Sequence, residues 1–441
     1  MNGSHEGPPA NAGLVLLAGI VSLVLCVQPA AAQPAQQQLP LPEIPLTFRP
    51  PIAARSAGMG GASIAFADDH SACISNPATL GVIRQIEFGI GLANVSAYRD
   101  LTYRGNTERA SYGKTRLSHL GFAYPFPTYR GSLVLGFAYA RVSPLDSDFY
   151  KIGGGDSIQV EKEGILEDGG LDNYSLSVAY QPTPDLYLGV TGTILHGHEF
   201  YDRTFYFQST HLAEDSEQVQ DYTISGVTGS LGALLQLDTG IRLGFVLYLP
   251  EGLDFDGSGT SYDYLAPGDV LNYDLYQHVY LPYRLGAGLA VARQHLILAA
   301  DAIYADWSQI DFGGPLLLVS PRQAAYRQTV NLRLGGEVLL SSLLPVRLRV
   351  GYDFDPIPYD VVLFENVAAQ PYEPARFERD RYYYTVGAGI LLAKSLTLDL
   401  AYMDGGFKRS GTVTSQQNFM ESVKDRRFLA SLSFRLPLGR D

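Results

Sequence analysis

This 441-residue chain has two cysteines, one tryptophan and a charged fraction of only 17%. If a leader peptide is removed on export, Cys73 is the only thiol left, so no intramolecular disulfide can hold the fold. Lysine and arginine total 32 against 45 aspartates and glutamates, and the net charge is −13. That balance excludes a nucleic-acid partner, because phosphate binding needs a basic surface. Beyond Val27 no apolar run reaches about 18 residues, so no transmembrane helix is expected. There is no G-x-S-x-G, and the eight histidines form no recognisable constellation with a nucleophile. The sequence therefore reads as a non-enzyme with no cofactor and no metal.

An apolar run does stand at 11–27, followed by Ala30-Ala31-Ala32 before Gln33. Together they read as a signal peptide over 1–32 with an A-x-A cleavage site. The run is preceded by Glu6 and by no Lys or Arg, an atypical start. Leu25 before Cys26 argues against lipidation. Residues 33–51 are rich in Pro and Gln and read as an extended linker. Export without a membrane helix leaves a periplasmic protein, a secreted one, or an outer-membrane barrel.

From Ile86 on, the apolar period is 2. In one segment Tyr382, Tyr384, Val386, Ala388, Ile390 and Leu392 share a face, opposite Tyr383, Thr385, Gly387 and Gly389. Apolar faces of about nine to eleven residues suit a tilted membrane strand. Aromatics such as Tyr352, Phe354 and Tyr402 stand at their ends, as in interfacial girdles. Such segments fall at 86–98, 115–124, 132–142, 172–181, 186–207, 218–237, 241–255, 271–291, 295–306, 326–340, 346–355, 380–392, 396–408 and 427–438. Short turns alternate with long polar stretches expected as external loops. The expected fold is all-β: a 14-stranded antiparallel transmembrane β-barrel over 85–441, in the outer membrane and in contact with its lipid.

A ring of this size leaves a channel unless something fills it. Residues 54–81, "ARSAGMGGASIAFADDHSACISNPATLG", are small and Gly-rich. Tight turns at Gly58, Gly60 and Gly61, a cap at Asp69, and the cap and first-turn pair Asn76-Pro77 fit a compact plug over 52–84. Gly58, Gly60 and Gly61 lack the complete spacing of a phosphate loop and follow no strand. Asp68 and Asp69 read as a solvated carboxylate and a cap rather than a cation site. His196 and His198 read as polar strand-end residues.

The stretch "ARSAGMGGASIAFADD…NPATLG" resembles the N-terminal signature of the FadL/TodX family of outer-membrane transporters of hydrophobic compounds. "RLRVGYDFDPIPYDV", "DRYYYTVGAGILLAKSLTLDLAYMDGG" and "ADWSQI" resemble later segments of that family. The resemblance implies fourteen strands closed by an N-terminal hatch whose Asn-Pro-Ala motif is matched by Asn76, Pro77 and Ala78. It implies uptake of a hydrophobic small-molecule ligand, such as a long-chain fatty acid, by a monomer. It also implies lateral exit through a kinked strand, for which Gly136 in "SLVLGFAYARV" is the candidate. Thr79 stands where the family usually has Gly, and the external ligand groove has no recognisable counterpart. The same signature resembles PorV-type barrels, which hold protein partners in secretion systems.

Strict alternation places Arg242, Arg284, Asp301, Arg333, Glu337, Arg347, Arg349 and Asp353 on the interior face. They read as an ion-pair network gripping the hatch. Alternatively, Arg333 or Arg349 receives the carboxylate of an amphipathic ligand, since guanidinium matches carboxylate bidentately.

Overall fold

The computed structural model describes residues 49–103, 106–152, 160–207, 216–237, 239–262, 270–313, 326–340, 345–358, 376–414 and 417–437. The signal peptide and most of the linker expected from the sequence lie outside these residues.

Eighteen strand segments form one antiparallel sheet. In chain order they are β1 (Ile86–Tyr103), β2 (Asn106–Phe126), β3 (Leu133–Pro144), β4 (Ser147–Ile152), β5 (Val160–Thr183), β6 (Leu186–Phe207), β7 (Ser216–Gln236), β8 (Ile241–Tyr248), β9 (Glu251–Tyr262), β10 (Val270–Leu281), β11 (Arg284–Ala292), β12 (Leu296–Asp306), β13 (Asp311–Gly313), β14 (Gln328–Leu339), β15 (Val346–Asp355), β16 (Arg376–Ala393), β17 (Leu396–Thr414) and β18 (Gln417–Leu436). The pairs β3–β4, β8–β9, β10–β11 and β12–β13 each make one interrupted wall strand, giving fourteen. β1 pairs with β18 from Ile86–Leu436 to Tyr103–Phe419, and this closes the ring. Closure removes the two edges that β1 and β18 would otherwise expose.

The interruptions have local causes. Pro250 separates β8 from β9 and Pro282 separates β10 from β11; proline has no N–H for the ladder. A 3₁₀ turn at Trp307–Gln309 separates β12 from β13. The segments expected at 241–255 and 271–291 are each split at these prolines.

Several strands run farther than expected, up to 24 residues in β5. Stretches expected as loops at 99–114, 143–170 and 409–426 are largely paired strand. Polar residues on both faces hide such an extension from a period-2 reading, because no apolar face marks it.

The outward face carries an apolar belt. Phe88, Leu92, Leu176, Ile194, Phe245, Leu298, Val350 and Val386 are exposed, from 49% to 62%. A soluble monomer does not expose a continuous apolar ring of this extent. Tyr384 at 64% and Tyr180 at 54% add aromatic surface to the outward face. The inward face of the same strands is buried, with Tyr383 at 1% and Thr385 at 2%. The residues expected on each side of this strand lie there. No helix among the described residues is long and apolar enough to cross a membrane.

Candidate functional site

Residues 50–83 lie inside the ring and touch its wall on all sides. They begin with a helix, Ala54–Gly58, continue through Met59–Asp69 without regular structure, and end in a short helix, Ala72–Ser75, and a 3₁₀ turn, Pro77–Val82. Nearly every residue is buried. Gly60 and Gly61 hold φ of 65° and 79°, the left-handed region that favours glycine. Asn76 caps the last turn, its Oδ1 accepting from the Ala78 N–H at 3.1 Å with Pro77 at the first position. Asp69 accepts from the Ser71 N–H at 2.9 Å. It organises the turn before the short helix and does not cap it.

The wall makes room for this segment with cross-strand pairs of glycines. Gly89–Gly121, Gly189–Gly232, Gly244–Gly288 and Gly335–Gly351 are register partners. A Cβ on Gly89 would lie 1.9 Å from the His70 ring, on Gly189 2.3 Å from the Pro77 carbonyl carbon, on Gly232 2.0 Å from Asn76 Oδ1, on Gly244 2.3 Å from the Ile64 oxygen, and on Gly351 2.1 Å from the Gly60 nitrogen. Any side chain at these places collides with the segment. Asn76 also donates through Nδ2 to the carbonyls of Ile64 at 2.8 Å and Ala233 at 3.3 Å. It thereby ties two parts of the segment to β7.

Ion pairs fasten the segment on two sides. Arg55 reaches Glu337 at 3.3 Å and also pairs with Asp68. Glu337 takes Arg349 at 2.6 Å and Arg347 at 3.8 Å, and Arg349 takes Asp399 at 2.7 Å. Asp68 meets Arg435 at 3.7 Å, Arg435 meets Glu87 at 2.7 Å, and Glu87 accepts from the His70 N–H and faces its Nδ1, both at 3.1 Å. Across the lumen, Asp301 accepts from the N–H groups of Ser63 at 2.6 Å and Ile64 at 2.9 Å. Arg333 pairs with Asp353 at 3.4 Å and donates to the Arg49 carbonyl at 3.0 Å. Arg284 pairs with Glu251 at 2.6 Å, which also takes Arg49. Arg242 is on the same face as Gly244 and joins neither cluster.

Burial works against charge on His70, but the Glu87 hydrogen bond and the Asp69 and Glu87 charges outweigh it and raise its pKa. Asp69 is desolvated too, yet His70, Ser71 and Arg55 lower its pKa. Burial pushes the Cys73 thiol up to about 12. Asp69, His70 and Glu87 lie close enough to hold an ion, but Arg435 already occupies Glu87.

A cavity of about 150 Å³ opens beside the segment. Its lining mixes Ile74, Leu195, Ile303 and Trp307 with Ser175, Thr193, Asn173, Arg284 and Arg333. Arg333 therefore has access to it. Arg349, enclosed between Glu337 and Asp399, is fully buried.

Gly136 does not mark a kink. It pairs with Ala123 on one side and Ser177 on the other, where both ladders run in regular register. Its missing Cβ instead clears Cys73 Sγ, which lies 2.7 Å from where that carbon would be. The irregularity in β3 falls between Arg141 and Ser143.

Sequence reasoning missed Arg55, His70, Glu87, Asp399 and Arg435 as fastening residues. The signal was present: Glu87 and Arg435 are charges at inward positions in rows otherwise small, next to Gly89 and Ser433.

Three solved structures share this architecture. A Pseudomonas aeruginosa FadL homologue matches with a TM-score of 0.65 at 16% identity, over 88% of this chain and 99% of that one. The Pseudomonas putida toluene transporter TodX matches at 0.63 and 17%, over 88% and 99%. The Ralstonia pickettii toluene transporter TbuX matches at 0.57 and 17%, over 89% and 99%. The fold is that of the FadL-like channels. Residues 49–249 match a different family, described as BamG. No curated protein matches the sequence.

Proposed function

We propose that this protein is an outer-membrane channel for uptake of hydrophobic compounds such as long-chain fatty acids, with residues 52–84 as its hatch. The carrying observation is the seating of that segment on glycine pairs around the whole ring. A segment so placed blocks free diffusion and argues against an open porin. The solute is captured on the outer side, enters the cavity beside the hatch, and is released when the segment around Asn76, Pro77 and Ala78 shifts. Transfer from water supplies roughly 0.8 kcal/mol per buried CH₂, so capture needs only a modest pocket. Release is the step that needs a conformational change. A cavity near 150 Å³ is the size that holds benzene, so a long acyl chain requires the hatch to move as it enters. Arg333, which reaches the cavity, is the candidate for an acid head group; Arg349 serves the hatch.

Uptake of radiolabelled oleate and of toluene by a deletion strain, with and without the gene restored, tests this reading. Restoration without any gain in uptake of either compound defeats it.

A second reading is a barrel that holds a protein partner in a secretion or surface-assembly system. The polar share of the cavity lining, the paired strands rising beyond the apolar belt and the match to a family other than FadL/TodX favour it. Recovery of a stoichiometric partner with the barrel, beside absent uptake, would select it.

A further inference from the structure

The outward charge of the wall is unevenly spread. β7, β9 and β10 contain no Lys or Arg. Their outward face carries Asp221, Asp254, Asp256 and Asp274, of which Asp221 meets His198 and Asp254 meets His278. Half the ring away in strand order, the five neighbouring strands β16, β17, β18, β1 and β2 carry the reverse. Arg379, Lys408, Lys424, Arg426 and Arg109 are all exposed there.

Ladder register gathers these cations. Arg379 is the partner of Lys408, Asp404 of Arg426, Tyr98 of Lys424 and Asp100 of Arg109. Alternation turns them toward lipid. Lys424 and Arg426 share a face with exposed Phe428, and Lys408 shares one with exposed Tyr402, while Arg409, Glu421 and Arg427 point inward and are buried. Tyr402 and Phe428 are register partners at the edge of the apolar belt. Arg426 is the first outward residue beyond Phe428 and Lys424 the second.

Only part of this charge is neutralised. Asp404 takes Arg426 at 2.9 Å and Asp100 takes Arg109 at 2.6 Å; Glu378 is exposed beside Arg379. Lys408, Lys424 and Arg379 have no carboxylate partner among the described residues. The two arginines nearest the belt lie on tyrosine rings. Arg426 stands 5.4 Å over Tyr98, and Arg379 stands 5.3 Å over Tyr382 and donates to its hydroxyl at 2.9 Å. A guanidinium laid on a ring keeps its planar fork set for an oxyanion. Cations just beyond an apolar belt meet the head groups of the leaflet, whose phosphates attract them. From Arg379 to Arg109 the cluster spans four strand spacings, ~19 Å. That is too broad for one phosphate and suits a head group that carries two.

We propose that this outward face of β16–β18 and β1–β2 is a seat for a bisphosphorylated glycolipid of the outer leaflet. Its acyl chains lie on the belt, and its phosphates meet Lys408, Lys424, Arg379 and Arg426. The seat needs the barrel to stand in the outer membrane and is independent of what the lumen carries.

The test titrates the full chain, purified in detergent, with bisphosphorylated lipid A, the same lipid stripped of phosphate, and phosphatidylglycerol. Native mass spectrometry counts the lipid bound. Bisphosphorylated lipid A is expected to bind most tightly. Lys408→Gln with Lys424→Gln should weaken it at least about tenfold. Arg130→Gln with Arg293→Gln, which removes two exposed cations from the short turns, should leave it unchanged. Heat-modifiable gel migration shows whether each variant is folded. If the double variant does not fold, Lys424→Gln alone serves, with a loss of about fivefold expected. Equal affinity for the stripped lipid or for phosphatidylglycerol overturns the seat, as does undiminished binding in a folded lysine variant. Uptake of oleate and toluene is a separate readout: its absence defeats the transport reading and leaves the seat standing.

Discussion

Asn76 shows how much one amide can specify. Its oxygen accepts from Ala78 while its nitrogen donates to two carbonyls, Ile64 on the same segment and Ala233 on the wall. Asn76→Asp keeps the size and the acceptor but turns an anionic oxygen toward both carbonyls. A buried group left unsatisfied costs about 1–3 kcal/mol. Asn76→Asp is therefore expected to loosen the segment more than Asn76→Ala does, read as faster amide hydrogen exchange over 54–82. His70 makes a pH prediction. Its pKa is raised in the folded state, so its contribution is fully present below the unfolded value near 6.5 and is lost as pH rises through the folded one. Asp69, Glu87, Arg435 and the neighbouring His119 ring face it. Protection over 54–82, after correction for base-catalysed intrinsic exchange, should fall from pH 6 to pH 9 in the parent and change less in His70→Gln. Asn76 as a cap was legible from Asn-Pro; the reach of its amide to β7 was not, because nothing local encodes a contact 157 residues away.

Among the elements, the strands were legible wherever one face met lipid. The belt imposes period 2, and the inward assignment of Arg284, Asp301, Arg333, Glu337, Arg349 and Asp353 followed from it. What failed was the height of each hairpin, since paired strand above the belt has no apolar face. The kink in β3 was misplaced because glycine has two uses in a strand, flexibility and clearance, and Gly136 serves clearance. That clearance gives a direct handle on the hatch. Gly136→Cys puts a second thiol beside Cys73, whose Sγ lies 2.7 Å from the new Cβ position, close to disulfide geometry. Burial pushes the Cys73 thiol up to about 12, so little thiolate forms at neutral pH and a catalysed oxidant is needed. The oxidised variant should lose uptake and recover it with reductant. Uptake indifferent to the bridge would remove hatch movement from the mechanism. A methyl at Gly351, aimed at the Gly60 nitrogen at 2.1 Å, should cost about 1–3 kcal/mol of overpacking, measured as a lower midpoint of heat-modifiable gel migration.

For the whole molecule, two cysteines in 441 residues pointed to a fold that disulfides do not hold, and the closed ladder supplies that hold. Lumen charges such as Glu337, Asp301 and Glu87 bind wall to leading segment. The account depends on that segment stoppering the ring, and single-channel recording of the purified full chain in a planar bilayer tests it most directly. The parent should show no steady pore conductance, and Gly189→Leu with Gly232→Leu, which fill the seat of Asn76 and Pro77, should show stepwise opening. A parent that conducts steadily like an open porin would contradict it.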